Sequence, residues 1–333
     1  MTSFDRYELL DTIASGDFAT VHRARDRELG REVAIKQIHA QFLHDERHLA
    51  RYWQEAQLLA SLQHPHVLTI YDVVRSRGWL VLELMRGSLR QAVETGPLDL
   101  DFLRLALACS LSGLHFLHTA GVVHGDVKPS NLLVDAQNRV KLGDFGLARR
   151  ATSDEGSLLK GTTKYMAPEL LSNQFGPVGP ASDLYSLGFA AYELMCGPEF
   201  ENLFPGLSSF GRDRQLAWMM WHAAPDRQMP EIGRVLHGVP PDLTRVIQRL
   251  VAKDQSQRYK SAREAIEDLR SERAPVTAVQ AAAPTPPAPR RGRRLLVGGA
   301  VIVSLVLTLA MLLPRGGGRK AAPAAVTALR GTV

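Results

Sequence analysis

The chain has 333 residues, 45% of them apolar, enough for one or two domains with a real core. Its formal charge is +6, but residues 290–333 hold eight Arg and Lys and no acid, leaving 32 basic against 34 acidic residues before them. The basicity therefore belongs to the tail, which excludes a folded surface charged for nucleic acid.

Met1 to Leu10 are too polar for a signal peptide. Alternation and β-branched content predict strands over Tyr7–Ile13, Thr20–Arg25, Glu32–Ile38, Leu68–Val74 and Trp79–Leu84, with one helix near His48–Leu62. Between the first two strands runs Ile13-Ala14-Ser15-Gly16-Asp17-Phe18-Ala19-Thr20-Val21, which taken alone is equally an ordinary hairpin turn. Val33-Ala34-Ile35-Lys36 is more specific, because a lysine in an apolar strand is costly unless its ammonium meets an anion. On the following helix Tyr52, Glu55, Leu59 and Leu62 share a face, so Glu55 projects from an apolar stripe and calls for a cation. His39, His44 and His48 invite a metal site, but no Cys or acid cluster completes one, and solvated histidines are the simpler reading.

After Gly96-Pro97 the chain turns mostly helical, with Asp99 or Asp101 able to cap a helix carrying Phe102, Leu105, Cys109, Ser112 and Phe116. Cys109 and Cys196 are far apart in apolar stretches without partner spacing, as small buried side chains in a reducing compartment would be. His124-Gly125-Asp126-Val127-Lys128-Pro129-Ser130-Asn131, then Asp144-Phe145-Gly146, sit on short loops between apolar strand-like runs. They supply what phosphoryl transfer needs: Asp126 to take a hydroxyl proton, Lys128 near the moving phosphate, and Asn131 and Asp144 as oxygen donors for Mg²⁺.

These motifs, in this order, resemble the catalytic core of the protein kinase family from about Tyr7 to about Leu269. The resemblance implies an α+β bilobal fold. A small β-rich lobe with one main helix (about 7–84) stands on a larger helical lobe (about 88–270), and the kinase domain covers 7–270. It implies that ATP is bound by Ala14, Ser15, Gly16, Asp17, Phe18, Ala19, Val21, Ala34, Lys36, Glu83 and Met85. In that scheme Lys36 holds the α- and β-phosphates with Glu55 as its ion-pair partner. Leu82 sits behind the adenine, and the backbones of Glu83 and Met85 meet its edge. Asp126 and Lys128 are the implied catalytic residues; Asn131 and Asp144 hold Mg²⁺, with Mn²⁺ an alternative ion. The spacing Asp-x-Lys-Pro-x-Asn is the Ser/Thr form.

His124 is implied to be architectural, Thr162 to brace Asp126 and Lys128, Asp183 to anchor the catalytic loop, and Arg258 to pair with Glu169. Three positions depart from the family pattern: Ala14 and Ala19 replace loop glycines, and Gly125 replaces an arginine that commonly receives an activation-segment phosphate. Arg149, Arg150 and Lys164 are nearby basic substitutes for it, and Thr152, Ser153, Ser157 and Thr163 are candidate phosphosites in the segment from Asp144 to Glu169.

Residues 271–294 form an Ala/Pro-rich, finally basic linker that cannot bury a core. Leu295 to Leu313 is an uncharged 19-residue run bracketed by arginines. At about 1.5 Å per residue it extends roughly 28 Å, matching a bilayer core of about 30 Å. The Arg/Lys bias across it is weak, so orientation rests on the need of a nucleotide-using domain to face cytosolic ATP. That places the folded domain in the cytoplasm and the short tail 314–333 outside. The arrangement resembles bacterial receptor-like Ser/Thr kinases: a single-pass kinase of the cell membrane, acting on protein Ser/Thr hydroxyls and on itself in signalling. The competing reading is a nucleotide-binding pseudokinase or scaffold. Nothing in the sequence decides whether a homodimer forms.

Overall fold

In the computed structural model the described residues are 6–16, 18–43, 46–144, 149–150, 163–207 and 213–270. They all fall within one unit, residues 1–278. The expected linker, membrane span and tail (271–333) lie outside the described residues, as do Asp17, His44, Phe145, Gly146, Thr152, Ser153, Ser157 and Thr162.

Tyr7–Ser15 (β1), Ala19–Asp26 (β2), Arg31–Ile38 (β3), Ile70–Val74 (β4) and Trp79–Leu82 (β5) form one antiparallel sheet in the order β1-β2-β3-β5-β4. Strand alternation sends Val33 and Ile35 into a core with Ala24, Trp79 and Val81, while Lys36 takes the other face of the sheet and lines a cavity with Tyr52, Glu55 and Asp144. The expected fifth strand stops at Leu82, so Glu83–Met85 run on as an irregular connector.

Helix α1 (Glu46–Ser61) covers the sheet with Trp53 and Ala56 buried against Ile38 and Leu80. The predicted stripe holds at Leu59 but is displaced by one residue earlier in the helix. Trp53, Ala56 and Leu59 are buried, whereas Tyr52 and Glu55 lie at the margin of the buried face.

The strand Gly87–Ser88 (β6) opens the larger lobe and leads into α2 (Leu89–Thr95). Asp99 caps α3 (Leu100–Thr119) by accepting from the N–H groups of Asp101 and Phe102, settling the choice between two candidate caps. Its buried face carries Leu103, Leu107, Leu111, Leu114 and Leu117, while Leu105 is exposed. Val122–Val123 (β7), Leu132–Val134 (β8) and Val140–Leu142 (β9) bracket the two functional loops, and β7 pairs with Arg149–Arg150 (β10).

Helix α4 (Pro180–Cys196) is buried almost along its whole length, with α5 (Arg214–Ala223), α6 (Ile232–Val235), α7 (Pro241–Leu250) and α8 (Ala262–Arg270) following. Cys109 and Cys196 are buried free thiols, and burial pushes the Cys196 thiol up to about 12.

Backbone hydrogen bonds join the segment before β4 to β9 of the helical lobe. Leu142 N–H donates to His66 O (3.0 Å), and Leu68 N–H to Leu142 O (2.8 Å). Gly113 of α3 permits this approach, since a Cβ there would stand 2.6 Å from His66 O.

Arg258, in the extended stretch before α8, forms a wholly buried pair with Glu169 (2.6 and 2.9 Å) and also donates to the carbonyls of Ala181 and Lys253. Removing one partner strands a charge in low dielectric. Arg258→Met should therefore lower the unfolding free energy by about 3–5 kcal/mol, read from denaturant unfolding of the full chain. A loss below about 1 kcal/mol would show that Glu169 finds another partner.

Candidate active site

Asp183, in the first turn of α4, is fully buried and binds the loop that precedes Asp126. Its Oδ2 accepts from His124 N–H and pairs with His118 Nε2, both at 2.8 Å, and its Oδ1 accepts from Gly125 N–H at 2.8 Å. Gly125 has φ 75°, a left-handed conformation that glycine adopts without strain and the commoner arginine would not. His124 is buried. It bonds Gly143 O through Nε2 (3.1 Å) and accepts from Asp126 N–H at Nδ1 (3.2 Å), so its role is architectural.

Held in this way, the next residues converge. Asn131 Nδ2 donates to the Asp126 carbonyl (2.8 Å) and carboxylate (2.9 Å), and Lys128 Nζ lies 2.8 Å from the same carboxylate. Asn131 Oδ1 takes only a long contact from the Ser130 hydroxyl at 3.4 Å, leaving an amide oxygen of the hard type that Mg²⁺ selects. Asn131 N–H to Lys128 O and Gly143 N–H to Asn131 O tie this loop to the Asp144 turn. Asp144 has φ 57°, which an aspartate tolerates better than a bulkier residue, and its carboxylate is half exposed. Among the described residues no three carboxylates, histidines or cysteines cluster into a closed metal cage. Two protein oxygens with an open side fit an ion that is completed by substrate phosphates.

Across the cleft, Lys36 Nζ bonds Asp144 Oδ1. Lys36 and Glu55, the expected ion pair, line one cavity with Tyr52 and Asp144, and among the described residues the Lys36 ammonium also meets the Asp144 carboxylate, a contact the sequence did not suggest.

Of the remaining expected nucleotide residues, Ala14 and Ser15 end β1, Gly16 turns, and Ala19 and Val21 begin β2. Ala34 lies on β3, paired with Leu82. Phe18 packs on Phe42 and Tyr52, with ring centres 5.0 and 5.5 Å apart. Glu83 N–H donates to Thr69 O, and its carboxylate binds Lys141 (2.8 and 2.6 Å), fastening the connector to β9. Among the described residues the Glu83 carbonyl and the Met85 N–H have no backbone partner. One acceptor and one donor, two residues apart, suit the edge of a purine.

Two expectations are corrected. Lys164 is not a spare cation for a phosphate, because its ammonium is buried between Glu193 (2.8 Å) and Glu201 (2.9 Å). Thr163 is buried, and its hydroxyl donates to Gln215 O (2.9 Å), so it is not presented for modification. The side chains of Arg149 and Arg150 lie outside the described residues.

Glu193 was missed at the sequence level, although an acid inside the apolar run of α4 is a signal that it must be paired. It meets Lys164, Arg90 and the Tyr165 hydroxyl and fastens the segment before Pro168 to α4. His39, set aside as a metal ligand, contacts the Thr20 hydroxyl at 3.0 Å.

A model of the protein kinase domain matches residues 7–269. The chain belongs to the protein kinase family. It has the bilobal kinase fold, with sheet and helical lobes meeting at the cleft described above. Among similar proteins, a probable serine/threonine-protein kinase, PknA2, of Bifidobacterium longum is 34% identical over 274 residues, covering 79% of this chain and 34% of its own length. Serine/threonine-protein kinase PknB of Mycobacterium leprae is 34% identical over 279 residues, covering 80% of this chain and 42% of its own. PknL of Mycobacterium bovis is also 34% identical, over 77% of this chain and 63% of its length. The chain thus spans about a third to two-fifths of the first two relatives.

Burial alone raises the Asp183 carboxyl, but the His118 hydrogen bond and charge, with His124 and the Gly125 N–H, outweigh it and hold the group below its ordinary value of 3.8. A carboxyl depressed on folding contributes stability above its unfolded pKa and loses it as pH falls through the folded one. Asp183→Asn should therefore flatten the decline of stability below about pH 4 and lower stability at neutral pH. An unchanged acid limb in pH-dependent thermal unfolding would contradict this.

Proposed function

We propose that the chain is a serine/threonine protein kinase that transfers the γ-phosphoryl group of ATP to protein hydroxyls. The observation that carries this reading is the convergence of Asp126, Lys128 and Asn131 on one loop, with Asp144 on the turn tied to that loop and Lys36 reaching it from across the cleft. The relatives named above support the class, and the Lys128-Pro129 spacing after Asp126 favours Ser/Thr over Tyr.

Asp126 accepts the proton of an incoming hydroxyl; positioned general bases contribute about 10²–10⁴ in rate. Asn131 keeps that carboxylate oriented through its amide nitrogen. Lys128 sits beside the same carboxylate, where it neutralises charge on the transferring phosphoryl. Lys36 leaves Asp144 for the α- and β-phosphates, and Glu55 is the carboxylate that then steadies its ammonium. Asn131 Oδ1 and Asp144 are the residues that would hold Mg²⁺, which when bound neutralises phosphate charge. The backbones of Glu83 and Met85 bind the adenine edge. The β1–β2 turn (Ala14, Ser15, Gly16, Asp17, Phe18, Ala19) lies over the phosphates, with Val21 and Ala34 against the nucleotide. Alanines where the family carries glycines restrict φ and make the turn stiffer.

Domain assignment follows the same reading: a kinase domain over 7–270, a linker over 271–294, a single span over 295–313 and a non-cytoplasmic tail over 314–333. The uncharged run flanked by arginines supports anchoring, and the need for cytosolic ATP supports a cytoplasmic kinase domain. Autophosphorylation is part of this proposal. A second reading, a nucleotide-binding pseudokinase, draws on the Lys36–Asp144 pair and on Ala14, Ala19 and Gly125.

Wild-type chain should transfer labelled phosphate to itself or to a basic protein, and Asp126→Asn should abolish transfer while leaving nucleotide binding intact. Equal background from both proteins would favour the pseudokinase. Lys36→Met should reduce transfer by orders of magnitude, and unchanged turnover would show that the lysine has been misassigned.

A further inference from the structure

One hydroxyl at the edge of the cleft is sealed from solvent and has no hydrogen-bond partner among the described residues: Tyr52 Oη on α1. It belongs to the cavity that Lys36, Glu55 and Asp144 line together with Leu68 and Leu80. The ring is held on two sides, by Phe18 of the β1–β2 turn at 5.5 Å and by the edge of Trp53 at 5.0 Å. It cannot swing out to water without breaking both contacts. Burial, then the negative charges of Asp144 and Glu55, push the phenol upward from its ordinary value. The group is thus a neutral O–H donor with two carboxylates in its surroundings.

A buried donor without an acceptor destabilises the protein that carries it, and phenylalanine would fill the same space without that cost. The hydroxyl therefore points to an acceptor engaged in another state of the cleft. In the present state the Asp144 carboxylate is bound by the Lys36 ammonium. Once Lys36 turns to a phosphate, its contact with that carboxylate ends, and Tyr52 Oη is a donor already lodged in the same cavity.

We propose that Tyr52 is a positioning residue of the nucleotide site, whose hydroxyl donates to the Asp144 carboxylate once Lys36 has left it for a phosphate oxygen. The proposal rests on the phosphoryl-transfer reading of this cleft. Tyr52 acts through Asp144 and does not touch the nucleotide. Because its ring packs on Phe18, the seating of the β1–β2 turn and the aim of Asp144 are coupled.

The test is Tyr52→Phe in the full chain, with thermal unfolding measured free and with MgADP, and with kinetics measured against Mg²⁺. In free protein the variant should unfold at the same or a higher temperature than wild type, since no bond is lost. Its MgADP-induced rise in Tm should be smaller, and the Mg²⁺ concentration for half-maximal transfer should increase about tenfold, as when an outer partner of a metal ligand is removed. Saturating Mg²⁺ should restore most of the turnover, which a purely structural defect would not allow. Tyr52→Leu, which removes the ring as well, should lower the Tm of the free protein.

A Tyr52→Phe protein that is less stable when free, or that matches wild type in both MgADP shift and Mg²⁺ dependence, overturns the proposal. If wild type itself shows no MgADP shift, the nucleotide-site reading falls, and the role of Tyr52 with it. A normal wild-type shift matched by the variant removes only Tyr52.

Discussion

A single buried carboxylate organises the catalytic side of this protein. Asp183 spends its two oxygens on His118 and on two successive backbone N–H groups of the loop before Asp126. Burying an unpaired carboxylate would be prohibitive, so these bonds are obligatory for a folded α4. The loop inherits that rigidity: Asp126, Lys128 and Asn131 then interlock through contacts of 2.8–2.9 Å. The chemistry is therefore built on the core helix rather than on the mobility of a surface loop. Glycine at 125 fits this design, since the second of those N–H groups belongs to a left-handed residue.

The opposite wall of the cleft is organised less tightly. Lys36 comes from a strand with a dry core behind it, and its ammonium must find an anion. Two carboxylates compete, one on α1 and one on the Asp144 turn, and in this structure Asp144 holds it. An incoming phosphate would change that competition by adding a third anion. Tyr52, the Phe18 ring and the Lys36–Asp144 pair thus form one coupled group whose partners are exchanged rather than created on binding. The Lys141–Glu83 pair ties the connector between the lobes to β9.

The strands, a helix cap at Asp99 or Asp101 and the loop motif from His124 to Asn131 were legible in the sequence because each depends on neighbours close along the chain. Strand alternation, capping oxygens and turn spacing are local properties. The Lys36–Asp144 contact was not legible, because it joins residues 108 apart through a tertiary approach that no periodicity encodes. Lys164 failed for a related reason: in the sequence it is one more cation in a loop, while its two carboxylates lie 29 and 37 residues away. Thr163 likewise reads as an exposed hydroxyl until its contact with Gln215 O is seen. Glu193 could have been found from its acid side chain inside an apolar helix.

The most direct test is a crystal structure of the chain with Mg²⁺ and a non-hydrolysable ATP analogue. The account predicts Asn131 Oδ1 and the Asp144 carboxylate as ligands at about 2.0–2.1 Å, Lys36 on a phosphate oxygen with its contact to Asp144 gone, and Asp126 open toward the γ-phosphate. An analogue bound with Lys36 still on Asp144, or an ion held by other side chains, would contradict it.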